Sequence, residues 1–159
     1  MIFKEIATSI KDKYPSVEVD IGENWLQVNN KDWVELASFI KDDPKLLFDF
    51  LSCLSSVDAE ESGVYVVYSF TSTSLKHNLE IRVFADKDMQ IKSIANIWKT
   101  ANWHEREAYD LMGVVFEGHP DMRRILLPPD WEGHPLQKKY KEPDYYHGMP
   151  VPKDKVGWE

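Results

Sequence analysis

The spacing of apolar residues divides residues 1–117 into helical and extended segments. Residues 2–13 carry apolar side chains at helical intervals and predict a surface helix. Residues 17–28 alternate on both sides of a glycine turn and predict a short hairpin of two strands. Asn30 has the character of an N-cap for a helix that includes residues 33–40.

A second apolar run follows Pro44. Residues 45–57, KLLFDFLSCLSSV, predict a helix that is apolar enough to lie at the centre of the core. Cys53, the only cysteine, lies inside this run and is interpreted as a small core residue. One cysteine excludes an internal disulfide and does not supply the thiolates of an iron–sulfur cluster.

The middle of the chain contains the strongest strand pattern. Residues 64–74 and 77–86 are rich in β-branched and aromatic side chains and predict an antiparallel pair. A helical pattern resumes at about residue 90 and ends at Gly113, which suits a left-handed C-cap. The order of elements predicts an α+β fold, with a mostly antiparallel sheet packed against helices.

The composition changes at Gly118. Residues 118–159 contain seven of the nine prolines and four of the seven glycines, together with several aromatic residues. Residues 123–127, RRILL, are the one strand candidate, and no period there is long enough to build a core. We therefore expect a body, residues 1–117, and an extended Pro-rich C-terminal arm, residues 118–159, that binds a partner.

Charge and hydropathy exclude several classes of protein. The 20 acids and 12 Lys/Arg of residues 1–117 carry the whole net charge of −8, because residues 118–159 hold seven of each. An acidic chain argues against general nucleic-acid binding. No apolar run approaches the roughly 20 residues of a membrane span, and the N-terminus lacks the apolar core of a secretory signal. A cytoplasmic location is expected.

Residues 103–113, WHEREAYDLMG, concentrate the charged groups of interest. If one helix runs from residue 94 to 112, Glu105 lies on its apolar face and must be paired or protonated. If a new helix begins at Asn102, Glu105 completes a capping box instead. The two interpretations are equally compatible with the sequence. In a buried ion pair, replacing Glu105 by Gln would cost about 3–5 kcal/mol.

The other charges of this segment predict ion pairs. Arg106 precedes Asp110 by four residues, so the two can meet on a helix surface. Asp110 lies in the last turn, where the helix dipole disfavours an acid and calls for a nearby cation. Arg123, Arg124 or an arginine of another chain are the candidates, and a solvated charged face is the simple alternative.

Catalytic chemistry is weakly supported. His104-Glu105 begins like a zinc-protease helix, but residue 108 is Ala where the second histidine would be needed. His119 and His134 each stand in Gly-His-Pro, where the imidazole can cap a turn. The sequence has no phosphate-binding glycine loop, dinucleotide fingerprint or nucleophile elbow. We expect no catalytic, cofactor-binding or metal-ligating residue in this chain.

The run WHEREAYDLMGVVFEGHPDMRRILLPPDWEGHPLQKKY resembles the signature of the C subunit, or 30 kDa subunit, of respiratory complex I, the proton-pumping NADH:quinone oxidoreductase. The resemblance extends over about forty consecutive positions and joins several short motifs in order. The positions that match as family motif or interface residues are Glu105, Arg106, Glu107, Tyr109, Asp110, Gly113, Gly118, His119, Pro120, Arg123, Arg124, Trp131, Pro135 and Leu136. Gln137 departs from the family, in which a basic residue is usual after Pro-Leu.

The resemblance implies a structural subunit without a redox centre. Its partners would be the large quinone-site subunit and a neighbouring iron–sulfur subunit of the hydrophilic arm, with iron–sulfur clusters and FMN held in partner subunits. Its place would be the cytoplasmic face of the inner (plasma) membrane, as a peripheral part of a membrane complex. The alternatives are an equivalent subunit of a ferredoxin-, coenzyme F420- or hydrogenase-linked complex, and a free-standing metal-dependent enzyme.

Overall fold

A computed structural model describes residues 2–60, 63–85 and 88–151 of the chain. Its helices are α1 (Phe3–Lys13), α2 (Trp33–Asp42) and α3 (Ala101–Met112). The strands are β1 (Glu18–Asp20), β2 (Trp25–Val28), β3 (Phe50–Asp58), β4 (Val64–Ser72), β5 (His77–Phe84), β6 (Gln90–Lys92), β7 (Val115–Glu117), β8 (Tyr145–Tyr146) and β9 (Met149–Pro150). No helix within these described ranges combines the length and apolar composition that crossing a membrane requires.

Five strands form the main sheet in the order β1-β2-β5-β4-β3. The pairs β1–β2, β5–β4 and β4–β3 are antiparallel, whereas β2 and β5 are parallel. The α+β class and the mostly antiparallel sheet are therefore confirmed, as are the hairpin and the pairing of the two central strands. The parallel pair was not predicted, because β2 and β5 are joined by α2, β3 and β4 and no local pattern links them.

One face of the sheet carries the core. Alternate residues of β4 and β5 are buried on this face, as the two-residue strand period requires. The buried side of α2 packs there, with the Trp33 ring centroid 4.4 Å from that of Tyr68. Trp98, in the loop before α3, contacts Phe70 at 4.7 Å. Aromatic contacts thus join helix, sheet and loop in one cluster.

The apolar run at residues 45–57 is not a helix. Residues 50–58 form β3, an edge strand paired with β4 from Phe50 to Asp58. A short apolar run is compatible with either element, and here pairing with β4 decides. A bulge between Leu51 and Cys53 shifts the register, so Leu51 and Leu54 are buried while Cys53 is exposed. The expected core role of Cys53 is wrong.

Three further features of the structure differ from what the sequence predicts. Residues 90–92 are the strand β6, paired in parallel with β7, and the last helix begins only at Ala101. Asn30 caps no helix, because its side chain bonds the backbone of β6 at Gln90 and Lys92. Residues 123–127 are not a strand, since their backbone is bound to a side chain of α3 described below.

Candidate functional site

Helix α3 lies beside the edge strand β3 and carries five of the fourteen candidate residues. Gly113 ends the helix in the left-handed conformation, with φ of 77°, and its N–H donates to the Tyr109 carbonyl at 2.9 Å. This confirms the predicted C-cap. The helix N-cap is Thr100, without a side-chain hydrogen bond, so neither an Asn102 cap nor a Glu105 capping box exists.

Glu105 is fully buried near the first turn of α3. Its carboxylate accepts hydrogen bonds from the Ser93 hydroxyl at 2.6 Å and the Ile94 N–H at 2.8 Å. Burial raises the pKa of Glu105 to about 7, although the bonds from Ser93 and Ile94 oppose the increase. Glu105 thus joins the segment after β6 to α3. It is buried as one interpretation required, but not on a single helix from residue 94 to 112.

The imidazole of His119 completes this buried group. Its Nε2 lies 3.1 Å from the Asn102 carbonyl and 3.9 Å from the Glu105 carboxylate, and its Nδ1 accepts the Asp121 N–H at 3.0 Å. One donating and one accepting nitrogen is the pattern of a neutral imidazole. Glu105 therefore gains no cationic partner here, and the expected buried ion pair at Glu105 is replaced by hydrogen bonds.

Asp110, one turn further along α3, is fully buried and binds the loop at residues 124–127. Its Oδ1 accepts from Arg124 Nη1 at 2.7 Å. Its Oδ2 accepts three consecutive backbone N–H groups, those of Ile125 at 2.9 Å, Leu126 at 2.7 Å and Leu127 at 3.0 Å. Three amides converging on one oxygen explain why residues 123–127 form no strand.

This arrangement stabilises the charged form of the Asp110 carboxylate. Burial alone would raise the pKa of the carboxyl group, but the bonds from the Leu127 N–H, the Arg124 guanidinium and the neighbouring amides outweigh burial and lower it. The predicted cation for Asp110 is therefore Arg124. Arg123 is largely exposed and pairs with Asp121 at 2.9 Å instead.

The last carbonyls of α3 are bonded by the following chain. Arg124 Nη1 and His134 Nδ1 both donate to the Asp110 carbonyl, at 3.0 Å each. The Leu136 N–H donates to the Leu111 carbonyl at 2.9 Å, and Gln137 Nε2 donates to the Met112 carbonyl at 2.8 Å. A helix leaves its last four carbonyls without partners inside the helix. Residues 124–137 supply the missing donors and so cap the C-terminus of α3.

Arg106 does not form the expected helix-surface pair with Asp110. Its Nε donates to the Arg123 carbonyl at 3.2 Å, and its guanidinium carbon lies 4.9 Å from the centre of the Trp103 ring. Arg106 is only 7% exposed, whereas Trp103 is 62% exposed. These residues line an open groove between α3 and the 122–129 loop.

The remaining candidate residues lie on α3 and in the chain that follows it. Tyr109 contacts the His134 ring edge-on at 5.7 Å, and the Trp131 indole donates to the Tyr140 hydroxyl at 3.1 Å. Glu107 is exposed at a small cavity that Leu136 also lines. Gly118 has a positive φ of 84° in the turn before His119. Pro120 is exposed and Pro135 half-buried.

Sequence reasoning missed several partners of these residues. Ser93, the amides at 125–127 and Gln137 are all ten or more residues away from the group that they bind, so helical spacing carries no information about them. The contact between the Trp103 ring and Arg106 could have been predicted from the sequence, because residues three apart share a helix face.

The site offers little for binding a metal. In the part of the chain that the structure describes, no group of three or more His, Cys, Asp or Glu side chains is arranged to hold a metal ion. The polar side-chain atoms of Glu105 and His119 are already hydrogen-bonded to other protein groups. The arrangement is suited to holding segments together by charge and hydrogen bonding.

The family model described as "Respiratory-chain NADH dehydrogenase, 30 Kd subunit" matches residues 26–146, and this segment includes α3 and all its partners from Ser93 to Gln137. The chain belongs to this family. The resemblance of residues 103–140 to the 30 kDa subunit signature is thereby confirmed.

Curated proteins named as the C subunit of NADH-quinone oxidoreductase are similar to the chain over most of its length. The protein of Chloroherpeton thalassium is 49% identical over 129 residues, which are 77% of this chain and 54% of that protein. The protein of Chlorobium phaeobacteroides is 47% identical over 62% of this chain and 61% of that protein. The chain thus spans a little over half the length of these curated relatives.

Two solved structures have folds similar to that of this chain. A trypsin-resistant fragment of Nqo5 superposes with a TM-score of 0.65 at 24% identity, covering 76% of this chain and 99% of that one. A chain of the membrane-bound sulfane sulfur reductase, an archaeal respiratory membrane complex, superposes with a TM-score of 0.73 at 22% identity, covering 87% of this chain and 85% of that one. At these identities the likeness concerns the fold alone.

Proposed function

We propose that this chain is a structural subunit of the hydrophilic arm of a proton-translocating NADH:quinone oxidoreductase. It docks on the large quinone-site subunit, next to an iron–sulfur subunit, and supports electron transfer to quinone without catalytic residues of its own. Iron–sulfur clusters and FMN belong to partner subunits, and the complex lies on the cytoplasmic face of the membrane. Membership of the 30 kDa subunit family and the names of its relatives support this proposal.

The observation that carries the proposal is the combination of fixed attachment and exposed apolar side chains after residue 118. The attachment is the set of bonds from residues 124–137 to α3, together with the bonds from Tyr146 and His147 of the β8–β9 hairpin to the Asp130 carboxylate. Four large apolar side chains of this region are nevertheless more than half exposed: Leu126 at 59%, Leu136 at 58%, Tyr145 at 69% and Met149 at 62%. Apolar and aromatic side chains held in fixed positions at a surface are typical of a protein interface. These side chains support the proposed role of residues 118–159 as the partner-binding arm.

The test is co-purification of native complex with a tagged chain. The full chain should retain the large quinone-site subunit, and a chain that lacks residues 141–159 should retain much less. Truncation at residue 128 is a poorer experiment, because it removes His134 and Gln137 and thus the caps of α3. Equal retention by the full and truncated chains would contradict the arm hypothesis.

Point variants separate binding from folding. Tyr145→Ser and Met149→Ser remove exposed apolar groups of the β8–β9 hairpin and should lower retention. Leu75→Ser is the matched control, because Leu75 is 41% exposed on the turn between β4 and β5. Retention that falls equally in the control and the hairpin variants would show a general effect rather than a binding surface.

The fold shared with the sulfane sulfur reductase chain favours a second candidate, the equivalent subunit of a ferredoxin-, coenzyme F420- or hydrogenase-linked complex. Assaying the purified native complex with each electron donor distinguishes these machines from an NADH-linked one. A free-standing metal-dependent enzyme would instead require stoichiometric zinc or iron in the purified chain.

A further inference from the structure

Arg106 is a buried cation without a buried anion. Only 7% of its surface is exposed, yet among the described residues no carboxylate oxygen lies within 4.0 Å of its guanidinium nitrogens. Its Nε is bonded to the Arg123 carbonyl, whereas Nη1 and Nη2 have no hydrogen-bond partner in the described chain. An arginine is almost never this buried unless it is paired.

The two free nitrogens of Arg106 are accessible from the groove between α3 and the 122–129 loop. They are not among the described buried polar atoms that lack a partner, so both retain contact with solvent. The groove has a volume of about 660 Å³ and is open along one side. Its lining combines apolar and aromatic side chains with three arginines: Trp103, Tyr109, Met122, Ile125, Pro129, Arg106, Arg123 and Arg124. A cation thus lies at the base of a partly apolar channel.

Of the three arginines beside the groove, one has no acidic partner among the described residues. Arg124 is neutralised by Asp110 at 2.7 Å, and Arg123 is paired with Asp121 at 2.9 Å. Only Arg106 of these three arginines lacks an acid among the described residues. The body, residues 1–117, otherwise carries the entire net charge of −8. The groove therefore offers a site for a single negative charge at Arg106.

We propose that this groove binds an extended segment of a partner subunit, with one Asp or Glu carboxylate of that segment paired with the two Nη nitrogens of Arg106. The guanidinium is planar and accepts a carboxylate through two parallel hydrogen bonds. The residues that flank this acid in the partner pack on Trp103 and Met122. Trp and Arg together are the residues that most often dominate interface energies. The inference rests on the proposed function, because the segment belongs to another subunit of the complex.

A carboxylate fits better than a phosphate. Phosphate carries up to two charges, whereas only one arginine of the groove lacks an acid among the described residues, and part of the wall is apolar. Side chains that flank an acidic residue in a peptide can cover such walls, and a free phosphate has nothing to place against them. Binding of inorganic phosphate at Arg106 would thus contradict the inference.

The test is photocrosslinking in the native complex. A benzophenone amino acid replaces Trp103 in the tagged full chain, the assembled complex is purified and irradiated, and the crosslinked peptide is identified by mass spectrometry. The expected product joins residue 103 to another subunit, within about three residues of an Asp or Glu. The same label at Leu75 is the position control, and a product identical to that from Trp103 would overturn the inference.

Variants of Arg106 test the charge. Arg106→Gln should lower the crosslink yield about tenfold, the loss expected for one charged hydrogen-bond partner. Arg106→Lys should retain an intermediate yield, because it keeps the charge but not the planar fork. The thermal midpoint checks that Arg106→Gln folds, since the Gln amide can still donate to the Arg123 carbonyl. If it does not fold, the wild-type yield should fall steeply with added salt, and a yield independent of salt would overturn the inference.

Two further outcomes separate this inference from the proposed function. If the complex co-purifies but residue 103 crosslinks to residues 152–159 of its own chain, or to a segment without an acid, the groove inference fails and the proposed function stands. If the wild-type chain co-purifies with none of the partner subunits, the proposed function itself fails. The two failures are read from different measurements.

Discussion

The carboxylate of Asp110 and the guanidinium of Arg124 lie 2.7 Å apart across the junction between α3 and the chain that follows it. The same guanidinium donates to the carbonyls of Trp131 at 2.9 Å and Gly133 at 2.8 Å. One ion pair therefore connects three segments. Because Arg124 is also near the C-terminus of α3, it offsets the unfavourable placement of an acid at the negative end of the helix dipole.

Replacing Asp110 by Asn should destabilise the protein strongly. The amide NH₂ of Asn cannot accept hydrogen bonds, so either Arg124 or the three backbone amides lose an acceptor in a buried place. We expect a loss of about 3–5 kcal/mol in the free energy of unfolding, measured by urea titration of the purified chain. Asp121→Asn is the control, because its pair with Arg123 is exposed and should contribute less than about 1 kcal/mol. Equal losses would show that Asp110 has no special role.

Glu105 should make the protein less stable as pH rises. Its folded pKa of about 7 is above the ordinary value of 4.5, so between these pH values the folded state holds a proton that the unfolded state has lost. The free energy of unfolding therefore decreases as pH rises through this window, by about 3 kcal/mol in total. Glu105→Gln resembles the protonated form and should abolish this decrease, so that the variant is the more stable protein at pH 8.

The measurement for Glu105 is urea unfolding of both proteins from pH 4.5 to 8. Among the described residues, His119 and the buried Tyr68 face Glu105, and the pKa of Tyr68 is raised first by burial and then by the Glu105 charge. His119→Gln, studied in parallel, identifies any share of the pH dependence that belongs to the imidazole. A loss of several kcal/mol in Glu105→Gln at pH 8 would instead support the buried ion pair that the sequence suggested.

Gly113 should be far less replaceable than Gly118, although both have positive φ. An added Cβ at Gly113 would lie 2.7 Å from His134 Cδ2 and 3.0 Å from Gln137 Nε2, whereas at Gly118 it meets nothing within 4 Å. Gly118→Ala should cost about 1–2 kcal/mol, the usual penalty of the left-handed conformation. Gly113→Ala should cost about 1–3 kcal/mol more, because His134 and Gln137 must move. Similar thermal midpoints for the two variants would contradict this close approach.

Gln137, the position that departs from the family pattern, should tolerate a basic residue. Gln137→Lys keeps a donor for the Met112 carbonyl and adds a cation at the C-terminus of α3, so its stability should match or exceed wild type by up to about 1 kcal/mol. Gln137→Leu removes the donor and should cost about 1–2 kcal/mol. Urea unfolding at low and high salt measures both, and the Lys benefit should shrink at high salt.

The contribution of Asp110 to the free energy of unfolding should depend on pH in the opposite sense to that of Glu105. Its folded pKa is lowered, so its contribution is complete above the ordinary value of 3.8 and is lost as pH falls through the folded pKa. Below pH 4 the wild-type free energy of unfolding should decrease, and it should decrease less in Asp110→Asn. Unfolding curves between pH 2 and 5 test this, and parallel profiles for the two proteins would contradict it.

Local pattern was sufficient for much of this protein. The amphipathic α1, the β1–β2 hairpin and the pairing of β4 with β5 follow from periods of 3.6 and 2 and from short connections. Gly113 was identifiable as a C-cap, and the misplaced charge of Asp110 correctly required a cation close by. The family was recognisable from residues 103–140 alone. These features depend on neighbours a few residues apart, and such neighbours are visible in a sequence.

The tertiary structure decided everything that depends on distant partners. Residues 50–58 became β3 rather than a helix because β4 offers a full ladder of hydrogen bonds, and a bulge there turned Cys53 outward. Glu105 is bound by Ser93 and Ile94 rather than by its own helix. The amides at 125–127 turn toward Asp110 because a buried carboxylate must be satisfied by whichever donors the fold brings near it. A charge pattern indicates that a buried charge needs a partner, and only the folded chain determines which group that partner is.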